Sequence, residues 1–372
     1  MPNSEEHSPI NIAVAGAGPE AERWLRALRG VEDVAAERMD LTDDELLRVL
    51  SGDSIGAVVF AGETPDLAGA GETLDLAGAV KRTLMANRHV LVAGAVAIRS
   101  KQLLAFDALA RRRNRVIVFD TGAFADERVD FVRKMTVGPQ ALWRPLYIRS
   151  LRTGANALHS LDELAIADIA FVLGMIGGAP SRVSAVSPRV DDETGAADIA
   201  MITLMFDGGS SARIDVSRIE PEPRHEVAIV CDGRTLLLDG YNARAPMQIL
   251  ASARHRGPQA GQWGETVSEH PAVELSDRLA RAAAAFATAV RARDVESSNA
   301  RTLASAAAVW EAARTSITAN GEMIDIGGSV AEPQRPALKL IVGGGHFDAS
   351  YPAPELTLIG RRAAAPEPPE AA

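Results

Sequence analysis

The sequence predicts an α/β protein with a doubly wound parallel sheet first and an α+β domain with a mixed, largely antiparallel sheet second. Three observations lead to this class. A buried-type apolar run, Ile10 to Ala15, opens directly into Gly16-Ala-Gly18-Pro-Glu-Ala21 and then a helical pattern. Apolar runs and amphipathic segments alternate to about residue 120. From Arg182 to Leu238 short strand patterns follow one another without intervening helices, with turn signals at Asp207-Gly-Gly209 and Asp232-Gly233.

In chain order, Ile10, Ile12 and Val14 with two alanines form a strand buried on both faces. Trp24, Leu25 and Leu28 continue the glycine turn as a helix to about Arg29, and a second strand is expected over Val31 to Ala36. A short helix over Thr42 to Leu50 has Asp40 or Thr42 as its cap. Ile55 to Ala61 is a strand, Thr73 to Asn87 a helix, Val90 to Val92 a strand, Ser100 to Arg113 a helix and Val116 to Phe119 a strand. A helix over Asp126 to Val137 and a strand over Trp143 to Arg149 lead to Leu161 to Ile176, a helix apolar on most faces, with Asp162 as its expected N-cap. Strands over Arg182 to Val190, Ala197 to Phe206, Ser211 to Arg218, His225 to Cys231 and Arg234 to Leu238 form the second sheet. Helices from Pro271 or Leu275 to Arg293 and from Ala300 to Ala319, with a strand over Met323 to Ile326, close the body. The expected divisions are 1–122, 123–330 and a Gly/Pro-rich extension, 331–372, whose low-complexity end has too little apolar surface to stay ordered.

The formal net charge of −10 and a single dense basic cluster, Arg111 to Arg115, argue against a nucleic-acid surface, which needs an extended field of Lys and Arg. One cysteine, Cys231, fits a reducing compartment, and the polar, acidic start is unlike a secretory signal, so a cytoplasmic protein is expected. No apolar run is long enough to span a membrane. The seven histidines are dispersed without short ligand spacings, and no metal site is expected.

The turn after the first strand carries the chemistry of a Rossmann-type nucleotide site. Gly16 permits the bend, Gly18 lets the backbone approach a pyrophosphate, and Ala21 is a small residue for close helix packing. Pro19 removes one amide donor, and Glu20 places a negative charge at the helix end that would face the phosphates. Glu37, 21 residues after Gly16, is the acid placed to hold ribose hydroxyls; Arg38 is equally placed for a phosphorylated ribose. NADP or NAD is the expected cofactor.

The arrangement resembles the Gfo/Idh/MocA oxidoreductases, on the segments Ile10 to Ala21, Ile55 to Ala61, Ala86 to Val92, Val137-Gly-Pro139, Gly177 to Val186 and Asn299 to Ser316. The resemblance implies hydride transfer between a nicotinamide and a carbohydrate-like or other small carbonyl or alcohol substrate. It also implies a homo-oligomer formed through the second domain's open sheet. The family places a lysine after the strand that here ends at Val92, where this chain has Ala93-Gly94-Ala95. The family's Asp-x-Gly-x-His-x-x-Asp helix falls on Glu163 to Ala170, with Ala167 at the histidine and Ala170 at the second acid. Glu163 alone keeps a carboxylate. His159, Glu163, Asp168 and Lys101 are the substitute candidates for acid–base work.

Two main readings follow. The first is a noncatalytic or weakly catalytic protein, a pseudoenzyme that binds a nucleotide, a small ligand or a protein partner. The second is an NAD(P)-dependent oxidoreductase whose acid–base residues have moved. A third is a nonredox enzyme reusing the cleft.

Overall fold

The computed structural model describes residues 9–40, 42–61, 75–94, 98–121, 126–139, 141–154, 160–188, 198–240, 247–252, 264–273 and 276–326. The first sheet contains β1 (Ile10–Ala15), β2 (Val34–Met39), β3 (Ala57–Phe60), β4 (His89–Ala93) and β5 (Ile117–Asp120). All its pairings are parallel, in the order β2-β1-β3-β4-β5. The chain first moves outward from β1 to β2 and then returns to its other side at β3. A doubly wound sheet places its ligand crevice at such a reversal, outside the carboxyl ends of the strands.

Helices α1 (Gly18–Arg29), α2 (Asp43–Ser51), α3 (Leu76–Met85) and α4 (Ser100–Arg112) connect these strands. Thr42 caps α2 by accepting from Glu45 N, as one of the two expected caps. The second strand starts three residues later than its apolar pattern suggested, because Asp33 takes a left-handed φ of 55° and the turn after α1 consumes residues 30–33. The helix expected over 73–87 is described over Leu76–Met85; Asn87, at φ 61°, turns the chain into β4.

Helix α5 (Glu127–Thr136) leads to the second sheet, followed by α6 (Leu161–Ile176). The remaining helices are α7 (Arg278–Ala292) and α8 (Ala300–Thr318). The second sheet contains β6 (Pro145–Thr153), β7 (Arg182–Val186), β8 (Ile199–Met205), β9 (Ser211–Ser217), β10 (Arg224–Cys231), β11 (Arg234–Asp239), β12 (Gln248–Ala251), β13 (Val267–Glu269) and β14 (Ile324–Asp325). Its order is β13-β12-β11-β10-β6-β9-β8-β7-β14. Among the described residues β6–β9 is its parallel pair; the other pairings are antiparallel. Neither β12 nor β13 was expected: each is short and lacks a strong alternating pattern.

The late helices return to the first sheet. Ala283, Phe286, Ala289 and Val290 of α7 share one apolar cluster with Trp24, Leu25 and Leu28 of α1. Helix α8 packs on both α4 and α6. At β5, an edge strand, the Asn299 side chain accepts from Phe119 N (2.9 Å) and donates to Phe119 O (2.6 Å), satisfying backbone groups that would otherwise be open. Helix α6 is buried at 13 of its 16 residues, which explains its apolar sequence on most faces. Each fully buried Leu, Ile or Phe there contributes about 1.5–3 kcal/mol. No described helix is long and apolar enough to cross a membrane.

Candidate functional site

The glycine turn lies at the carboxyl end of β1, beside the reversal between β1 and β3. Gly16 has φ 146° and Gly18 φ 78°, values that L side chains disfavour. Gly16 N reaches toward Met39 O of β2 at 3.4 Å, and Ala61 N donates to Ala15 O at 2.9 Å, fixing the turn between its neighbours. Ala21 is 1% exposed and packs in the α1 cluster. The N-cap of α1 is Ala17, whose methyl side chain makes no capping hydrogen bond, and Pro19 stands in the first turn. The amides of Gly18 and Glu20 are therefore unclaimed by a cap and sit at the positive end of the helix dipole, an arrangement that accepts anionic groups. Glu20 pairs with Arg23 along the helix at 3.4 Å, so its charge has a counter-ion.

At β2, Glu37 and Arg38 are paired with Ala13 and Val14, short of the strand end. Both are exposed, and Arg38 Nη1 contacts Glu22 Oε1 of α1 at 2.7 Å. Asp40, directly beyond β2 and exposed, stands closer to the mouth. From the sequence Glu37 and Arg38 are expected at the ribose, and Asp40 is not among them.

The positions that would supply acid–base groups are different in kind. Gly94 follows β4 with φ 89°, its N–H donating to Asp120 O at 2.8 Å, and a Cβ there would meet nothing within 4 Å among the described residues. The space would admit a side chain, but the backbone is shaped for glycine. Lys101 is exposed on α4. His159 lies outside the described residues.

On α6, Ser160 rather than Asp162 is the N-cap. Ser160 Oγ accepts from Glu163 N at 3.2 Å, and Glu163 Oε2 accepts from Ser160 N at 2.8 Å, completing a capping box. Asp162 instead accepts from Trp310 Nε1 at 3.0 Å and pairs with Arg314 at 3.2 Å, both on α8. Ala167 and Ala170 are both buried.

Asp168 is fully buried and faces the second sheet. Its Oδ2 accepts from Ser150 Oγ at 2.9 Å, and Oδ1 accepts from Arg152 Nε at 2.6 Å. His225 Nε2 of β10 lies 3.4 Å from the same oxygen and 3.1 Å from Arg152 Nη2. Burial alone would raise the carboxyl's proton affinity, but the charges of Arg152 and His225, and hydrogen bonds from both, hold it well below the usual carboxylate range. The Phe171 ring meets His225 edge-on at 5.9 Å, and a Cβ on Gly240 would overlap His225 Nδ1. Gly240 thus makes room for the imidazole. This cluster was legible only in part: His225 falls in phase with buried Val227, Ile229 and Cys231, which marks it as inward-facing.

Among the described residues no group of three or more His, Cys, Asp or Glu side chains is arranged to hold a metal. Burial pushes the Cys231 thiol up to about 11, against the nearby charge of Arg234, which makes it a poor nucleophile.

Comparison with known proteins agrees with this architecture. Residues 154–237 match the family model described as the GFO/IDH/MocA C-terminal domain. A comparison with curated proteins finds no match. Among solved structures, the chain is similar to a UDP-N-acetylglucosamine 3-dehydrogenase from Acidithiobacillus ferrooxidans (TM-score 0.66, 18% identity, 83% of this chain and 98% of that one). It is similar to a putative NADPH-dependent oxidoreductase from Desulfitobacterium hafniense (TM-score 0.69, 12% identity, 86% and 98%). A third is an oxidoreductase from Agrobacterium radiobacter in complex with NAD+, L-tartaric acid and magnesium (TM-score 0.64, 14% identity, 86% and 98%). The chain has the fold of these oxidoreductases.

Proposed function

We propose that the chain is a Gfo/Idh/MocA-type oxidoreductase that binds NAD or NADP and acts on a small carbonyl or alcohol substrate. The observation that carries this reading is the uncapped start of α1, presented by Gly16 and Gly18 at the sheet reversal. The residues fit the cofactor: free amides face where a pyrophosphate would lie, and Glu20 is already paired. When bound, the nicotinamide supplies or accepts the hydride. Asp40 and Arg38 would meet the adenosine ribose; recruiting Arg38 to a 2′-phosphate breaks only an exposed ion pair, worth about 1 kcal/mol or less. Parallel titration with NADH and NADPH separates the two cofactors.

Solved neighbours that hold NAD favour this reading over the noncatalytic one. For proton transfer we infer a role for His225, held by Asp168 and Arg152 against α6, the helix in which the resemblance puts Ala167 at the family's histidine position. The test is a panel of sugars, sugar nucleotides and hydroxy acids, followed by nicotinamide absorbance, with wild type and His225→Asn. Turnover that falls by about 10²-fold or more in the variant supports the assignment. Cofactor binding with no turnover on any compound, in either protein, favours the second reading: ligand binding without catalysis, consistent with Gly94, Ala167 and Ala170. The half-buried outer residues of β8, Met201, Thr203 and Met205, fit contact with a second copy of the chain, which light scattering would test.

A further inference from the structure

The opposite edge of the first sheet, where the strands begin, concentrates arginines. Helices α3, α4 and α7 all end in the same way. Asn87, Asn114 and Arg293 adopt left-handed φ values of 61°, 52° and 49°. The following amides reach back five residues, Arg88 N to Thr83 O, Arg115 N to Ala110 O and Asp294 N to Ala289 O, at 3.1, 2.8 and 2.9 Å. The β4–β5 register pairs Val90 with Ile117, so two residues earlier it sets Arg88 opposite Arg115. Adjacent strands are only about 4.8 Å apart. Val116 N donates to His89 Nδ1 at 3.0 Å and Arg113 Nη1 to Asn87 Oδ1 at 3.3 Å, which ties the two turns together.

Little on the protein offsets this charge. Arg88 donates to Gly52 O at 2.5 Å and lies 3.4 Å from Asp53, a fully exposed carboxylate. Arg115 donates to Asn114 O at 3.1 Å, and among the described residues neither it nor Arg293 is paired with a carboxylate. Among the described residues the buried Nε–H groups of Arg88 and Arg115 have no hydrogen-bond partner. Arg293 and Arg88 also lie near enough to Arg115 to disfavour its charge, after burial itself. Cations at helix ends complement the dipole singly, but the charges of Arg88, Arg115 and Arg293 disfavour one another, and an anion bound among them would relieve that repulsion. The chain's net charge of −10 makes the concentration a local feature rather than a general one.

We propose that Arg88, Arg115 and Arg293 form a binding site for a phosphate group, free or carried as a phosphomonoester. Guanidinium forks match phosphate oxygens in geometry and charge. The site lies at the amino ends of the strands, away from the Gly16 turn at their carboxyl ends, and does not depend on the dinucleotide reading.

The test is calorimetric titration of the full chain with inorganic phosphate and with phenyl phosphate, at constant ionic strength set with sodium chloride. Saturable binding is expected, weakened about tenfold or more in Arg115→Gln and in the exposed variant Arg293→Gln, with NADH and NADPH titrations unchanged from wild type. Equal affinities for the two probes identify a free-anion site; tighter phenyl phosphate identifies a carried one. Absence of saturable binding, or binding that both variants retain in full while folded by circular dichroism, overturns the proposal.

Discussion

The Gly16 turn and helix α6, on which the proposed function places nucleotide binding and proton transfer, differ in what encodes them. The turn works through backbone: positive-φ glycines and uncapped amides. Helix α6 would work through side chains, yet Ala167 and Ala170 offer none, Glu163 closes a capping box, and Asp168 is spent on Arg152, Ser150 and His225. A backbone device survives most side-chain replacement, whereas an acid–base device is lost with one residue. The fold can therefore keep its cofactor-type turn while its proton chemistry moves or disappears.

The largest effect is expected on the α6 side. Asp168→Ala removes a fully buried carboxylate that Ser150, Arg152 and His225 all contact and should cost about 3–5 kcal/mol, read by urea denaturation. Because the folded carboxyl is held below its unfolded value, its contribution is fully present above about pH 4 and is lost as the pH falls below that. A loss below about 1 kcal/mol would show that the cluster is not structural.

The first sheet has its own buried titratable group. Burial, then the charges of Arg115 and Arg293, push the His89 imidazole down to about 4, and its Nδ1 accepts from Val116 N only when unprotonated. With folded pKa below unfolded, stability is fully present above about pH 6.5 and falls by about 3 kcal/mol as the pH drops to about 4. His89→Gln should flatten that part of the pH–stability curve; an unchanged slope would contradict the assignment.

Two smaller changes sharpen the contrast. Gly240→Ala drives a methyl into His225 and should destabilise by about 1–3 kcal/mol, with nucleotide affinity intact. Glu311→Gln weakens the cap it gives α4 through Ser100 N and Oγ, at 3.0 and 2.9 Å, and should cost about 1 kcal/mol by thermal unfolding.

Much of this organisation was legible in the sequence, for physical reasons. Strands buried on both faces are written as apolar runs, and Gly16 and Gly18 mark their turn chemically. The buried helix kept its limits, Leu161 to Ile176, because Ser160 and Gly177 bound it. What the sequence concealed depends on tertiary approach: Glu311 capping a helix 211 residues earlier, α7 packing on α1, and Arg152 and His225 meeting Asp168 across two strands. Asp162 was an equally good local cap, and only its distant partners Trp310 and Arg314 draw it away.

Equilibrium binding of NADH and NADPH to the full chain, followed by nicotinamide fluorescence in wild type and Gly18→Val, tests the central claim most directly. The account predicts saturable binding of at least one nucleotide by wild type, weakened at least about tenfold in a variant whose φ of 78° no longer suits its residue. No binding by wild type at saturating nucleotide, or equal binding by Gly18→Val, would contradict it.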